Sequence, residues 1–161
     1  MTNPIPVELR VNGTVESVSI EPSRNLVSVL RNELGLTGTK EGCDDCECGA
    51  CMVLLDGQPV NSCSYLAAQA HGRDIMTVEG LAGDAGDELH PIQRCLLDEG
   101  GVQCGFCTPG MIMSAHALLA RNPSPSRDEV AVGLSGNLCR CTGYARILTA
   151  VEKAAAETAQ A

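Results

Sequence analysis

The sequence predicts an α+β fold in two parts, a small β-rich module followed by an all-α four-helix domain. Two observations predict the module. β-prone runs meet at Asn12-Gly13 and again at Asp56-Gly57, dipeptides that tolerate the positive φ a tight hairpin turn requires. A third observation predicts the rest: beyond residue 90 the pattern turns helical, with capping residues where helices would begin.

In chain order, Val7 to Val11 and Thr14 to Ile20 read as the first hairpin. Leu26, Val29, Leu30 and Leu34 then fall at helical spacing, with Pro22-Ser23 before them and Gly35 placed to end the helix. Cys51 to Leu55 and Gln58 to Asn61 form the second hairpin. Ile75 to Val78 gives a last short strand, expected at the sheet edge. The order ββαββ plus that strand suits a β-grasp, ferredoxin-like module over residues 1–78. Residues 79–88 are small and polar (Gly-Leu-Ala-Gly-Asp-Ala-Gly-Asp within them) and read as a linker.

Residues 89–161 carry the helices. Pro91 to Asp98 makes one. A second runs from Thr108-Pro109 to about Arg121, with Thr108 expected as N-cap and Pro109 at the first helical position. Ser126-x-x-Glu129 is a capping box that opens a third, to about Leu134, and Tyr144 to Thr158 makes the fourth.

The chain has Phe106, Tyr65 and Tyr144 as its aromatic residues and no Trp, so both cores must be aliphatic. Domains this small bury a low fraction of their surface and usually need metals, disulfides or partners. A net charge of -9 disfavours nucleic acid, whose phosphates call for Lys and Arg clusters. The start Met1-Thr2-Asn3-Pro4-Ile5-Pro6 lacks the features of an export signal, and no apolar run is long enough for a membrane span. A cytoplasmic location is therefore expected, where close cysteine pairs more often bind metals than form disulfides.

Eight of the ten cysteines fall into two sets of four. The first reads Cys43-x4-Cys48-x2-Cys51 with Cys63 further on, the spacing of a plant-type 2Fe-2S site. Thiolates suit such clusters as soft, charged donors. Gly38, Gly42 and Gly49 would let the loop wrap the cluster and turn amides toward its sulfurs. The second set, Cys104-x2-Cys107 and Cys139-x-Cys141, is equally compatible with zinc by spacing alone. Cys46 competes in principle with Cys48 as a ligand, although only Cys48 preserves the ferredoxin spacing. Cys95 and the Met111-Ile112-Met113 run are expected in the core. Asp44, Asp45 and Glu47 read as a solvated loop face. His71, His90 and His116 lack Rieske spacing, and no dinucleotide fingerprint, P-loop or Ser/His/Asp arrangement is present. No catalytic residue is expected on the chain.

Four stretches together resemble a known family: Thr37-Gly38-Thr39-Lys40-Glu41-Gly42-Cys43-Asp44; Cys48-Gly49-Ala50-Cys51; Gln103-Cys104-Gly105-Phe106-Cys107-Thr108-Pro109-Gly110-Met111; and Gly136-Asn137-Leu138-Cys139-Arg140-Cys141-Thr142-Gly143-Tyr144. The resemblance is to the small iron-sulfur subunits of the molybdenum hydroxylases, the xanthine oxidase family. These include the small subunits of carbon monoxide dehydrogenase, quinoline and isoquinoline oxidoreductases, nicotine dehydrogenase and 4-hydroxybenzoyl-CoA reductase.

The resemblance implies two 2Fe-2S clusters. Cys43, Cys48, Cys51 and Cys63 would hold the one near FAD; Cys104, Cys107, Cys139 and Cys141 would hold the one near molybdenum. It also implies that Gln103 and Cys141 approach the molybdopterin, in its cytosine dinucleotide form, across a subunit interface. The implied partners are a large molybdopterin subunit and a medium FAD subunit, assembled as a dimer of heterotrimers. Electrons would run from molybdenum through both clusters to FAD. The rival is a free-standing two-cluster ferredoxin that shuttles by diffusion. The family usually has a small residue at 46 and Thr at 52, where this chain has Cys46 and Met52.

Overall fold

A computed structural model describes residues 3–82 and 89–159. β1 (Ile5–Val11) and β2 (Thr14–Ile20) form the antiparallel first hairpin, closed by Asn12 and Gly13 at φ 50° and 82°. Alternation along β1 buries Val7, Leu9 and Val11. One α turn follows, α1 (Leu26–Ser28), capped by Asn25, whose side chain accepts the Ser28 amide at 3.0 Å. It widens into a π turn, Val29–Glu33, and the chain leaves through Gly35 at φ 69°. β3 (Met52–Leu55) and β4 (Gln58–Asn61) make the second hairpin, with Asp56 and Gly57 at φ 50° and 77°.

The last strand corrects the sequence reading. β5 (Asp74–Met76) lies in the middle of the sheet, in the order β2-β1-β5-β3-β4. It runs parallel to β1 and antiparallel to β3, so Ile75 pairs on both sides, with Val11 and with Leu55. Such brevity resembles an edge strand in sequence, but pairing on both sides is a long-range property that the three residues do not encode. Asn12 locks the arrangement. Its side chain accepts the Thr77 amide at 2.9 Å and donates to Thr77 Oγ1 at 3.0 Å.

The expected linker begins with structure. Val78–Leu81 forms a short 3-10 turn with Leu81 buried, whereas residues 83–88 lie outside the described residues. Four helices follow: α2 (Pro91–Asp98), α3 (Thr108–Arg121), α4 (Arg127–Gly133) and α5 (Ala145–Thr158). The capping box at Ser126 and Glu129 forms, each residue binding the other's amide. α3 starts one residue earlier than expected. Cys107 is the N-cap, already in helical dihedrals and with no side-chain bond, so Thr108 is the first helical residue. Pro109 remains tolerable because the first turn's amides have no intrahelical partner.

Two aliphatic cores result. One lies between the sheet and α1 and includes Leu9, Leu26, Leu30, Val53, Leu55 and Ile75. The other joins the helices through Ile92, Leu96, Met111, Met113, Val130, Ile147 and Val151, with Cys95 among them. Leu54 belongs to the helical core although its neighbours Val53 and Leu55 face α1. β3 is therefore covered on both sides, which is why its sequence reads as an unbroken apolar run.

A second capping box, absent from the sequence reading, opens α2. His90 Nδ1 accepts the Ile92 amide at 3.3 Å, and Gln93 Oε1 accepts the His90 amide at 2.9 Å. The His90 ring meets the His116 ring edge-on, with centroids 5.0 Å apart. Burial, and then His116, hold His90 below the ordinary imidazole range. The unfolded chain therefore takes up this proton first. The stabilisation is complete above the unfolded value of about 6.5 and is lost as pH falls through the lower folded value. His90→Asn keeps a capping oxygen without the titration. Between about pH 7 and pH 5 the melting temperature of the natural chain is expected to fall more steeply than that of the variant. Equal slopes would refute this role for His90.

Candidate metal centres

The first cysteine loop hangs between the π turn and β3, and its backbone is bent by Asp44, Cys46 and Gly49, all at positive φ. Its far wall is fixed by α1. The Leu26 and Val27 amides donate to the Tyr65 and Ser62 carbonyls at 2.7 and 3.1 Å, which pins the strand end carrying Cys63. Ser62, itself buried, donates through Oγ to the Cys51 carbonyl at 2.6 Å, and Val27 packs against Cys51 and Cys63.

The thiols come together in pairs. Cys43 contacts Cys48, and Cys51 contacts Cys63. In the helical half Cys141 Sγ lies 3.6 Å from Cys104 Sγ, and Cys107 contacts Cys139. Cys104 and Cys107 precede α3, while Cys139 and Cys141 precede α5, so each pair joins two different turns. Among the described residues no three His, Cys, Asp or Glu side chains gather as one metal ion would need. Paired thiols are instead what a two-iron cluster requires, two thiolates on each iron. The donor set thus fits two 2Fe-2S groups.

Local surroundings shift several of these thiols in opposite directions. Amides of Cys48, Asp45 and Glu47 point at the exposed Cys43 sulfur, with help from the Cys48 thiol, and lower it to about 7. The Asp45 amide is 3.4 Å away. Burial raises Cys48, and burial with the adjoining Cys51 thiol raises Cys63 to about 12. Burial, then Cys139, takes Cys107 to about 12. Burial also works to raise Cys139, but hydrogen bonds from Thr142 and from the Cys141 amide outweigh it and leave Cys139 lowered to about 7. The neighbouring Cys104 thiol raises Cys141. Crowded thiols resist ionising together; cationic iron reverses that preference.

The two sites are stitched together. The Leu138 amide donates to the Cys48 carbonyl at 2.9 Å, and Asn137 Nδ2 donates to the Gly49 carbonyl at 3.0 Å. Gly110, in the first turn of α3, lets that carbonyl approach: a Cβ there would stand 2.1 Å from Gly49 O. Phe106 reaches across to Gly42, where an added Cβ would meet its ring at 3.3 Å.

Comparison with known proteins agrees with this arrangement. Residues 9–78 match the 2Fe-2S iron-sulfur cluster binding domain, and residues 77–152 match the 2Fe-2S binding domain that follows it. The chain is 50% identical over 152 residues to the nicotinate dehydrogenase small FeS subunit of Eubacterium barkeri, covering 94% of this chain and 96% of that one. It superposes on the crystal structure of quinoline 2-oxidoreductase from Pseudomonas putida 86 with a TM-score of 0.94 at 46% identity. That match covers 99% of this chain and 98% of the other. The chain belongs to the small iron-sulfur subunits of the molybdenum hydroxylases. It is an electron-transfer subunit with two 2Fe-2S binding domains. The subunit also superposes on aldehyde oxidoreductase from Desulfovibrio desulfuricans, TM-score 0.92 at 42% identity, covering 99% of itself but 17% of that longer chain.

Within the subunit, Cys43, Cys104 and Cys141 are exposed, Cys48, Cys107 and Cys139 are half-buried, and Cys51 and Cys63 are buried. Gln103 is exposed beside Cys104 and hence near Cys141. Leu138 and Phe106 are exposed on the same turns. Cys46 is exposed, yet its amide and thiol both reach Cys63. Asp44, Asp45 and Glu47 are exposed as expected. Gly110, Asn137, Thr142 and Tyr144 stood in the matched stretches without assigned roles. The partner of Gly110 and Asn137 is Gly49 on the other cysteine loop, so no local signal could have supplied their roles, whereas Thr142 and Tyr144 bond within their own turn, to Cys139. Among the described residues, no helix is long and apolar enough to cross a membrane.

Proposed function

We propose that this subunit relays electrons between molybdopterin on a large partner subunit and FAD on a medium one. Cys104, Cys107, Cys139 and Cys141 hold the 2Fe-2S cluster on the molybdenum side; Cys43, Cys48, Cys51 and Cys63 hold the one on the FAD side. When bound, each cluster supplies a site that accepts and releases one electron.

The observation that carries this reading is the bond from the Leu138 amide to the Cys48 carbonyl. Cys48 is a ligand of one centre and Leu138 adjoins Cys139 of the other, so one hydrogen bond links the two ligand sets through backbone. The chain's own residues pack around that link: Gly49, Gly110 and Asn137 are all buried beside it. The two exposed turns with Gln103, Cys104 and Cys141 offer the helical centre to a partner. The aldehyde oxidoreductase likeness supports a partner much larger than this chain, since there the equivalent of the subunit is a small part of a longer polypeptide.

Iron and acid-labile sulfide analysis of the purified complex is expected to give about four of each per copy of this chain, with two distinct EPR signals on reduction. Stoichiometric zinc in the helical half would refute the two-cluster assignment. Migration of the cluster-loaded chain by itself on native size exclusion, with no larger subunits, would favour a diffusible ferredoxin instead.

A further inference from the structure

The turn Cys139-Arg140-Cys141-Thr142-Gly143-Tyr144 is wired more specifically than cysteine ligation requires. Thr142 Oγ1 lies 3.1 Å from Cys139 Sγ and accepts the Tyr144 amide at 3.3 Å. The Tyr144 phenol oxygen takes the Cys139 amide at 2.8 Å, with Tyr144 held at φ 67° as the N-cap of α5. A hydroxyl has one hydrogen to give. The Tyr144 amide occupies an acceptor position of Thr142, and a metal-bound thiolate can only accept. The remaining Thr142 hydrogen therefore points at Cys139 Sγ.

Among the described residues, this is the one side-chain hydroxyl that donates to a cysteine sulfur. In the β-rich half the corresponding donors to Cys43 are backbone amides, such as that of Asp45, which substitution cannot remove. We propose that Thr142 is a positioning residue that sets the reduction potential of the helical-half cluster, by hydrogen bonding to the sulfur of Cys139. The proposal rests on Cys139 being a cluster ligand.

Its sign follows from charge. Reduction adds an electron that spreads onto the ligand sulfurs, and a hydrogen-bond donor stabilises the more negative state. Thr142 thus raises the potential of its own cluster and leaves the other untouched. Thr142 is half-buried, which limits replacement of the lost donor by water.

The test is an EPR-monitored redox titration of the whole complex carrying Thr142→Val, Thr142→Ala or Thr142→Ser. Val and Ala are expected to make the helical cluster harder to reduce by about tenfold in its equilibrium, about 59 mV for one electron. Ser restores the natural value, and the β-half cluster titrates unchanged in all three. Unshifted potentials in Val and Ala, equal shifts of both clusters, or a Ser variant that behaves like Val would each overturn the proposal. So would failure of both Val and Ala to assemble the helical cluster, since Thr142 would then be structural. Cys139→Ala separates this from the ligand assignment: a helical signal that survives Cys139→Ala refutes the ligand, whatever Thr142 does.

Discussion

Gly110→Ala is expected to lower the melting temperature of the cluster-loaded protein by about 6–12 °C, for a loss of about 3 kcal/mol. The added methyl would stand 2.1 Å from Gly49 O and 3.1 Å from Gly49 C, a contact with backbone that no rotamer relieves. Nor can Gly49 withdraw freely. Its carbonyl already binds Asn137 Nδ2, and the Cys48 carbonyl beside it binds the Leu138 amide. A shift wide enough for the methyl breaks at least one of these bonds between the halves and disturbs the loop that carries Cys48. Gly136→Ala is the control, because a Cβ there meets nothing within 4 Å. Thermal melts followed by visible absorption and circular dichroism check both. A Gly110→Ala protein that melts with the natural one would show that the two loops are not in tight contact.

Cys51→Ala is expected to remove about half the iron, with loss of one EPR signal and retention of the other. Cys51 is buried and pairs with Cys63, so the variant leaves one iron with a single protein thiolate. The helical centre, built from other turns, keeps its own four sulfurs. Cys46→Ser is the informative partner. Cys46 reaches Cys63 but breaks the x4-x2 spacing, so both signals are expected to persist. Loss of the β-half signal in Cys46→Ser would exchange Cys46 for one of the assigned ligands.

Much of the molecule was legible before folding because the relevant information is local. Asn12-Gly13 and Asp56-Gly57 close hairpins since both residues of each pair take positive φ. Ser126 and Glu129 satisfy each other's amides within one turn. The cysteine spacings and the stretches around them carried the family, because ligands on one loop must stand at fixed separations whatever the rest of the chain does. The misreadings were local inferences applied to non-local questions. β5 looked like an edge from its length, but its place is set by β1 and β3. Thr108 looked like a cap, but the cysteine turn before it had already adopted helical dihedrals.

The sequence by itself thus determined the two-part α+β plan, the two sets of four cysteines and the family to which they belong. Only the tertiary structure decided which thiol meets which, that β5 is central, and that Gly49, Gly110, Asn137 and Leu138 bring the two centres against each other. The physical reason is range: turns, caps and ligand spacings are specified within a few residues. A contact such as Asn137 with Gly49 joins residues far apart in the chain and exists only once both halves have closed around it.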